Sequence, residues 1–534
     1  MTVVGVTTPV AVTMTIAGIA AVAATFTVGV CRRRPFRQLP VVVGTLAIVC
    51  GFGLAVAARE HQVHTHPIRG LLGQKVTVDI VVGDDPRVLR GAGPPRVWVP
   101  VDVVAMTRST DGVPAVRGVR TVDCLLMAPA DTWGSVVPGQ RIRALTSVRA
   151  PLRDDLTAAT LTVTSAPRVI RGPPPHQRVA LTVRQRFAEV STRALPAPES
   201  GLLPGLILGD VSGQGQELQD AFRACGLSHL VAVSGANFAI TVGAVLLLLR
   251  ATGAPTWVVV SAALVVIVAL VVLVRPSPSV VRAAVMGVVG VVALLVQRRA
   301  QALPALGTAI IVLLLVWPAL AVEPGFGLSV LATAGLILVS PVVRDRLRNR
   351  GLPRTLADAV AVAATAQLVT IPMVVMISGQ ISLVGLLANL LVGPVVPVVT
   401  VIGTVAVVVG MLSPRIAVLV SDFTGPELWW LVQIARRLSA LPGASVTVPD
   451  GVFGAVVATL VIVLAVALVT VARWRGTVGA VWQHVSGELH RHRTGSTTAR
   501  RRGFPGRARD VFGGGRRART GGRHRDPGDP GARR

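Results

Sequence analysis

Ten long apolar runs punctuate this chain, each able to cross about 30 Å of hydrocarbon, and runs of that kind leave a helical bundle in lipid as the natural fold. They lie near 10–30, 39–58, 229–249, 256–274, 279–296, 303–322, 325–343, 357–377, 381–411 and 452–472, with a weaker candidate over 416–435. Hydrophobic residues make up 52% of the sequence and mean hydropathy is +0.66, more apolar surface than a soluble core can hide. Arg32, Arg33, Arg34 and Arg37 follow the first run rather than precede it, and a second run comes at once. That order argues for a true first span and against a cleaved signal peptide.

Arginines beside a span stay on the cytoplasmic side. The 32–37 cluster, Arg250, Arg298 with Arg299, and the set Arg344, Arg346, Arg348, Arg350 and Arg354 agree in parity if 59–200 lies outside. Crossing at 416–435 brings the total to about eleven spans and returns the tail to the inside, as the same rule requires. The expected fold is a polytopic α-helical membrane protein of the cytoplasmic membrane with a small all-β domain inserted outside.

Between 59 and 200 the period changes to two: Val76, Val78, Ile80 and Val82, then Val97, Val99, Val101 and Val103. Further strand-like pieces near 118–126, 141–148 and 159–164 suffice for a small OB-like barrel, although periodicity alone leaves a sandwich open. The expected boundaries are two N-terminal helices over 1–58, the β domain over 59–175, a linker helix leading to the membrane over 176–228, a transmembrane domain over 229–475, and a disordered cytoplasmic tail over 476–534. Sixteen arginines fall after residue 472, concentrating part of the formal charge of +28 in and just before that tail. The tail could touch anionic lipid or nucleic acid, or simply orient the chain.

Cys31, Cys50, Cys124 and Cys225 show no metal-binding spacing, and only Cys124 and Cys225 could meet in an oxidising compartment. His61, His64 and His66 are close together, with Glu60 as the one nearby carboxylate, and read better as an exposed juxtamembrane segment than as a metal site. No metal or cofactor is expected.

The most informative stretch is Gly201-Leu-Leu-Pro-Gly-Leu-Ile-Leu-Gly-Asp210 followed by Phe222-Arg-Ala-Cys-Gly-Leu-Ser-His-Leu-Val-Ala-Val-Ser-Gly-Ala-Asn237. It places Asp210, His229, Ser234 and Asn237 at or within the start of a span, where polar groups are costly unless paired or facing a wet cavity. Ordinary packing by Ser234 and an interfacial His229 is the competing reading. Ser234 lies in no Gly-x-Ser-x-Gly elbow and no acid is placed to orient His229, so acyl transfer is not expected.

These residues resemble the core signature of the ComEC competence family, membrane proteins associated with passing single-stranded DNA through the cytoplasmic membrane during natural transformation. Val280-Val-Arg-Ala-Ala284, Trp317-Pro318 with Glu323-Pro-Gly-Phe-Gly-Leu-Ser329, and Pro372, Gly379, Ser382 and Leu387-Ala-Asn-Leu-Leu391 before Pro394 are similar to its later blocks, in the same order. Two departures stand out. Asn237 replaces a histidine found in many members, and the tail lacks the His-x-His-x-Asp-His motif of the family's metallo-β-lactamase-like domain, so nuclease chemistry is not expected on this polypeptide.

The resemblance implies a channel component for single-stranded DNA. Phosphates need cationic or hydrogen-bonding partners, and Arg282, Gln367 and Asn389 are the candidates within apolar spans, with Glu323 and Ser329 from the matching block. A structural salt bridge from Arg282 to Asp210 or Glu323 is the alternative. The implied partners are single-stranded DNA, the lipid bilayer, a separate DNA-receptor protein, nuclease and cytoplasmic motor, and further copies of the chain. Two other classes stay open: a secondary transporter of a small solute or lipid intermediate, which should show internal repeats, and a membrane-bound hydrolase, which should retain an acid, base and nucleophile set.

Overall fold

The computed structural model describes residues 61–89, 94–108, 116–151, 157–231, 233–296 and 301–464. The two expected N-terminal spans, the Arg-rich tail, and Cys31 and Cys50 lie outside the described residues.

The alternating segment forms a closed barrel. Its strands are β1 (Lys75–Val82), β3 (Arg96–Arg108), β4 (Val116–Pro129), β5 (Arg141–Arg149) and β6 (Thr160–Thr162), with short β2 (Arg87–Leu89) and β7 (Arg168–Arg171) at its margins. Hydrogen bonding runs β1-β3-β4-β6-β5 and back to β1, parallel only between β4 and β6, while β2 pairs with β3 and β7 with β5. Closure satisfies edges that a small open sheet would leave bare. Val76, Val78, Ile80, Val99, Val103, Leu126, Ile142 and Val148 turn inward and are buried, so the period of two is the barrel wall seen in sequence. A four-residue helix, α1 (Ala130–Trp133), plugs one end. Trp133 is fully buried and donates its indole N–H to the Ser165 carbonyl at 2.8 Å.

On the outer surface Asp79 stands opposite Arg143 and accepts its guanidinium at 2.6 and 2.9 Å, with Arg141 at 3.3 Å. The hydrogen bond from Arg143 holds the Asp79 carboxyl below its ordinary value against the opposing effect of burial.

Past Pro174 the chain turns helical. Helix α2 (Pro175–Ala194) buries Val183, Phe187 and Val190 along one stripe and packs on α3 (Glu199–Leu208) and on later helices of the bundle. Helix α3 is buried on nearly every side, as its all-round apolar sequence demands. Then come α4 (Gln216–Ala224), α5 (Ser228–Val231), α6 (Gly235–Ala251), α7 (Thr256–Val274), α8 (Pro278–Leu295), α9 (Ala302–Val316), α10 (Pro324–Leu338), α11 (Ser340–Arg348), α12 (Arg354–Ser378), α13 (Gly385–Val392), α14 (Val395–Leu412), α15 (Pro414–Asp422), α16 (Gly425–Ser439) and α17 (Gly451–Leu464). A two-strand ribbon, β8 (Gln380–Ser382) with β9 (Ser445–Thr447), ties the loop after α12 to the one before α17.

Among the described residues four helices, α7, α8, α12 and α14, are long and apolar enough to cross a membrane, and α10 with α11 makes a fifth if that pair, bent by 40°, is one span. The bend falls at Pro341, which cannot donate into the preceding turn. Among the described residues, the runs at 229–249 and 303–322 give shorter helices, α6 and α9. The segment at 416–435 is two helices meeting at Thr424, because Gly425-Pro426 interrupts it, and α16 carries Glu427, Arg436 and Arg437 on about 22 Å of length. The run at 381–411 breaks at Gly393-Pro394 into α13 and α14. Leu247, Leu248, Val265 and Val268 are each more than 60% exposed, as lipid-facing side chains of a membrane bundle are.

Cys124 and Cys225 are free, so the considered disulfide is not formed. Each belongs to its own apolar core, Cys124 in the barrel and Cys225 in the bundle, where its thiol donates to the Ala435 carbonyl at 3.3 Å. Burial pushes the Cys124 thiol up to about 12, which makes it inert.

Candidate functional site

The signature stretch folds around the buried carbonyl end of a short helix. Helix α3 stops at Gly209, whose φ of 71° turns the chain out, and the Gly209 and Asp210 N–H groups return to the Gly205 and Pro204 carbonyls. The carbonyls of Leu206 and Leu208 are left for other partners. Asn237, 2% exposed, donates Nδ2 to Leu206 at 3.1 Å, and Arg184 on α2, 6% exposed, donates to Leu208 at 2.7 Å. Ser234 caps α6, its Oγ accepting the Asn237 N–H at 3.1 Å. The other side of Asn237 faces a narrow cleft lined in part by Thr241, Thr400 and Thr404, and its buried Oδ1 has no partner among the described residues.

Arg282 lies near the start of α8, 7% exposed, and donates Nε to Ser329 Oγ of α10 at 2.8 Å, with Met286 Sδ 3.3 Å from a terminal nitrogen. A Cβ on Gly235 would stand 2.8 Å from its other terminal nitrogen. Three blocks distant in sequence thus converge: Ser234–Asn237, Val280–Ala284 and Glu323–Ser329. The considered salt bridge from Arg282 to Asp210 or Glu323 is not formed. Asp210 instead accepts Ser212 Oγ at 2.6 Å and the Ser212 N–H at 3.1 Å, and Glu323 occupies the N-cap of α10, its carbonyl accepting the Phe326 N–H at 3.1 Å.

The third group meets the signature stretch at Gly226, where an added Cβ would lie 3.3 Å from Ser382 Cβ and 3.6 Å from Gly385 Cα. Gln367 of α12 donates to the Ser382 carbonyl at 2.9 Å beside Gly385, and its Oε1 and Ser382 Oγ are buried without partners among the described residues. Asn389 folds back on its own helix, donating to the Gly385 carbonyl at 2.8 Å. His229 of α5 hydrogen-bonds the Gly226 backbone, and Gly226 lies against Ser382 and Gly385. His66 caps a short turn, accepting the Ile68 N–H at 3.3 Å, and Arg69 lies 2.8 Å from His64. No group of three metal-binding side chains gathers among the described residues.

A further polar cluster gave no motif signal. Arg275 follows α7, is 5% exposed, and places Nε 2.9 Å from Asp85 Oδ2 in the loop between β1 and β3. Arg184 reaches the same oxygen at 3.3 Å and also donates to the Leu273 carbonyl at 3.2 Å. Arg275 adopts φ 75° and ψ 152°, territory that belongs to glycine, and its Nη1 is buried without a partner. Burial pushes the Asp85 carboxyl up, against the pull of Arg275 and Arg184. The only available signal was an arginine directly after an apolar run, ahead of Pro276, and in sequence it resembles any span-flanking charge.

The family model described as Competence protein matches residues 206–474. ComE operon protein 3 of Bacillus subtilis (strain 168) is 28% identical over 214 residues, which cover 40% of this chain and 27% of that relative, so the match spans about a quarter of the relative's length. No solved structure matches the chain. Half of the chain is covered by the family match, and within it lie the carbonyl end of α3 together with Asn237, Arg282 and Ser329; the chain belongs to the Competence protein family.

Proposed function

We propose that this protein is a channel component that carries single-stranded DNA across the cytoplasmic membrane in natural transformation. The observation that carries the reading is Arg282: a guanidinium buried in an apolar span, held by a hydroxyl and a thioether and by no carboxylate among the described residues. A structural arginine in lipid is ordinarily neutralised by an acid. One that keeps its charge unpaired where three family blocks meet suits a path for a polyanion.

The barrel serves as the receiving end. Its closed order, with a single parallel pair between the third and last core strands, supports reading it as an OB-like barrel, a class whose second and third strands and first inter-strand loop commonly bind single strands. Here those parts are β3, β4 and the loop carrying Asp84 and Asp85. Arg87 lies 5.0 Å over the ring of Trp98 on that face, a sequence-tolerant platform for a base and its phosphate.

The same reading places the barrel outside. The starts of α6, α8 and α10 meet around Arg282, so those three helices run in one direction, and Arg250 and Arg344–Arg350 fall at their far ends, the cytoplasmic side.

Uptake of labelled DNA into the cytoplasm tests the reading, in cells with the gene deleted and complemented by wild type or Arg282→Ala at equal abundance. Deletion should abolish uptake with surface binding preserved, and Arg282→Ala should lower it about tenfold or more. Unchanged uptake on deletion would turn the reading toward a small-solute transporter, whose broken helices α3 and α13 resemble.

A further inference from the structure

We infer that Arg184 and Arg275 form a phosphate-binding site at the junction of barrel and bundle, and that Asp85 occupies it as an internal stand-in until a phosphate group displaces the carboxylate and frees the barrel loop. The inference rests on the DNA-carrying reading for its occupant, not for its existence.

The site is built rather than incidental. Both guanidinium groups are more than nine-tenths buried, come from α2 and from the turn that follows α7, and converge on one oxygen, Asp85 Oδ2. Arg184 is fixed from behind by the Leu208 and Leu273 carbonyls, so its position does not depend on the carboxylate. Arg275 retains a buried Nη1 with no acceptor among the described residues, and its Nε hydrogen is not aligned on Asp85 despite the short approach. Two arginines present more donors than one carboxylate oxygen can accept, whereas a phosphate offers several acceptors around one centre. The left-handed backbone of Arg275 is what turns its side chain in from the end of α7. A glycine would hold that backbone without strain, yet the position carries an arginine.

The carboxylate is a poor fit for the place it takes. Burial raises the proton affinity of Asp85 in spite of two neighbouring cations. Asp84 and Asp210 also bear on the cluster, but each has a closer partner: Arg87 at 2.9 Å for Asp84, and Ser212 at 2.6 Å for Asp210. Asp85 sits on the barrel loop used for strand binding in OB barrels, so displacing it frees that loop where a strand passes from barrel to bundle.

The test uses the full chain in nanodiscs of zwitterionic lipid, with Val88→Cys, 65% exposed on β2, carrying an environment-sensitive dye. Titration with oligothymidylate should change the dye signal in the wild-type background. Asp85→Asn should tighten that binding about tenfold, and Arg275→Gly should weaken it about tenfold with the thermal midpoint retained. Arg275→Gly is chosen because glycine suits the local backbone, so lost binding cannot be blamed on a misfolded turn. If both variants bind like wild type, the inference is overturned, and deletion of the gene in the uptake assay judges the DNA reading separately. If exchange into phosphatidylglycerol produces the Arg275-dependent dye change while oligothymidylate does not, the phosphate site stands and its occupant is a lipid headgroup.

Discussion

Arg275 is where a single residue departs furthest from what its chemistry prefers. A non-glycine residue at φ 75° and ψ 152° costs on the order of 1–3 kcal/mol, sustained only if surrounding contacts hold it. Alanine and glycine substitutions separate backbone from side chain, because both delete the guanidinium and only glycine relieves the strain. Arg275→Gly should unfold at a higher temperature than Arg275→Ala, by roughly 1–2 kcal/mol in stability. Equal midpoints would show an unstrained turn. Asn237 makes a complementary point: it was legible as a polar group at the start of a span, but its hydrogen bond to Leu206 depends on where α3 happens to end.

Among the elements, α3 shows how small residues set the architecture. A Cβ on Gly201 would lie 2.0 Å from the Gly213 carbonyl oxygen, backbone against backbone, with no flexible side chain to yield. Gly201→Ala should therefore cost a few kcal/mol and reduce the amount of protein extracted from membranes, without changing the barrel's circular dichroism. The barrel has its own handle in Asp79. Its folded-state proton affinity is lowered, so the Arg143–Asp79 pair contributes stability above the unfolded value of 3.8 and loses it as pH falls through the lower folded value. The near-UV signal of buried Trp133 should fade over that acid window, and Asp79→Asn should flatten this part of the titration. Element existence was legible where one period dominated, as in β1 and β3 or in α7 and α14. It was misread over 416–435 because a hydropathy average passes across Thr424-Gly425-Pro426 without registering that the helix turns there.

For the molecule as a whole, the consequential contact joins the barrel loop to the bundle. Asp85→Arg would set three cations together and expel the loop, while the barrel's hydrogen bonds remain intact. Hydrogen exchange should then rise across residues 83–89 and stay slow in β1. Equal exchange in the loop of both proteins would show that other contacts hold it. Among the described residues, two clusters of polar groups lie along the bundle from this junction: Asn237 with its threonines, and Arg282 with Ser329.

The sequence by itself determined the membrane class, the strand segments of the barrel and the blocks that identify the family. All of these are written in local composition and period, which neighbouring residues decide among themselves. Only the tertiary structure decided which charges meet. Asp85 and Arg184 are 99 residues apart, and Arg282 and Ser329 are 47 apart. Desolvation makes a buried charge seek a partner, but which partner it finds depends on where whole helices and loops come to rest.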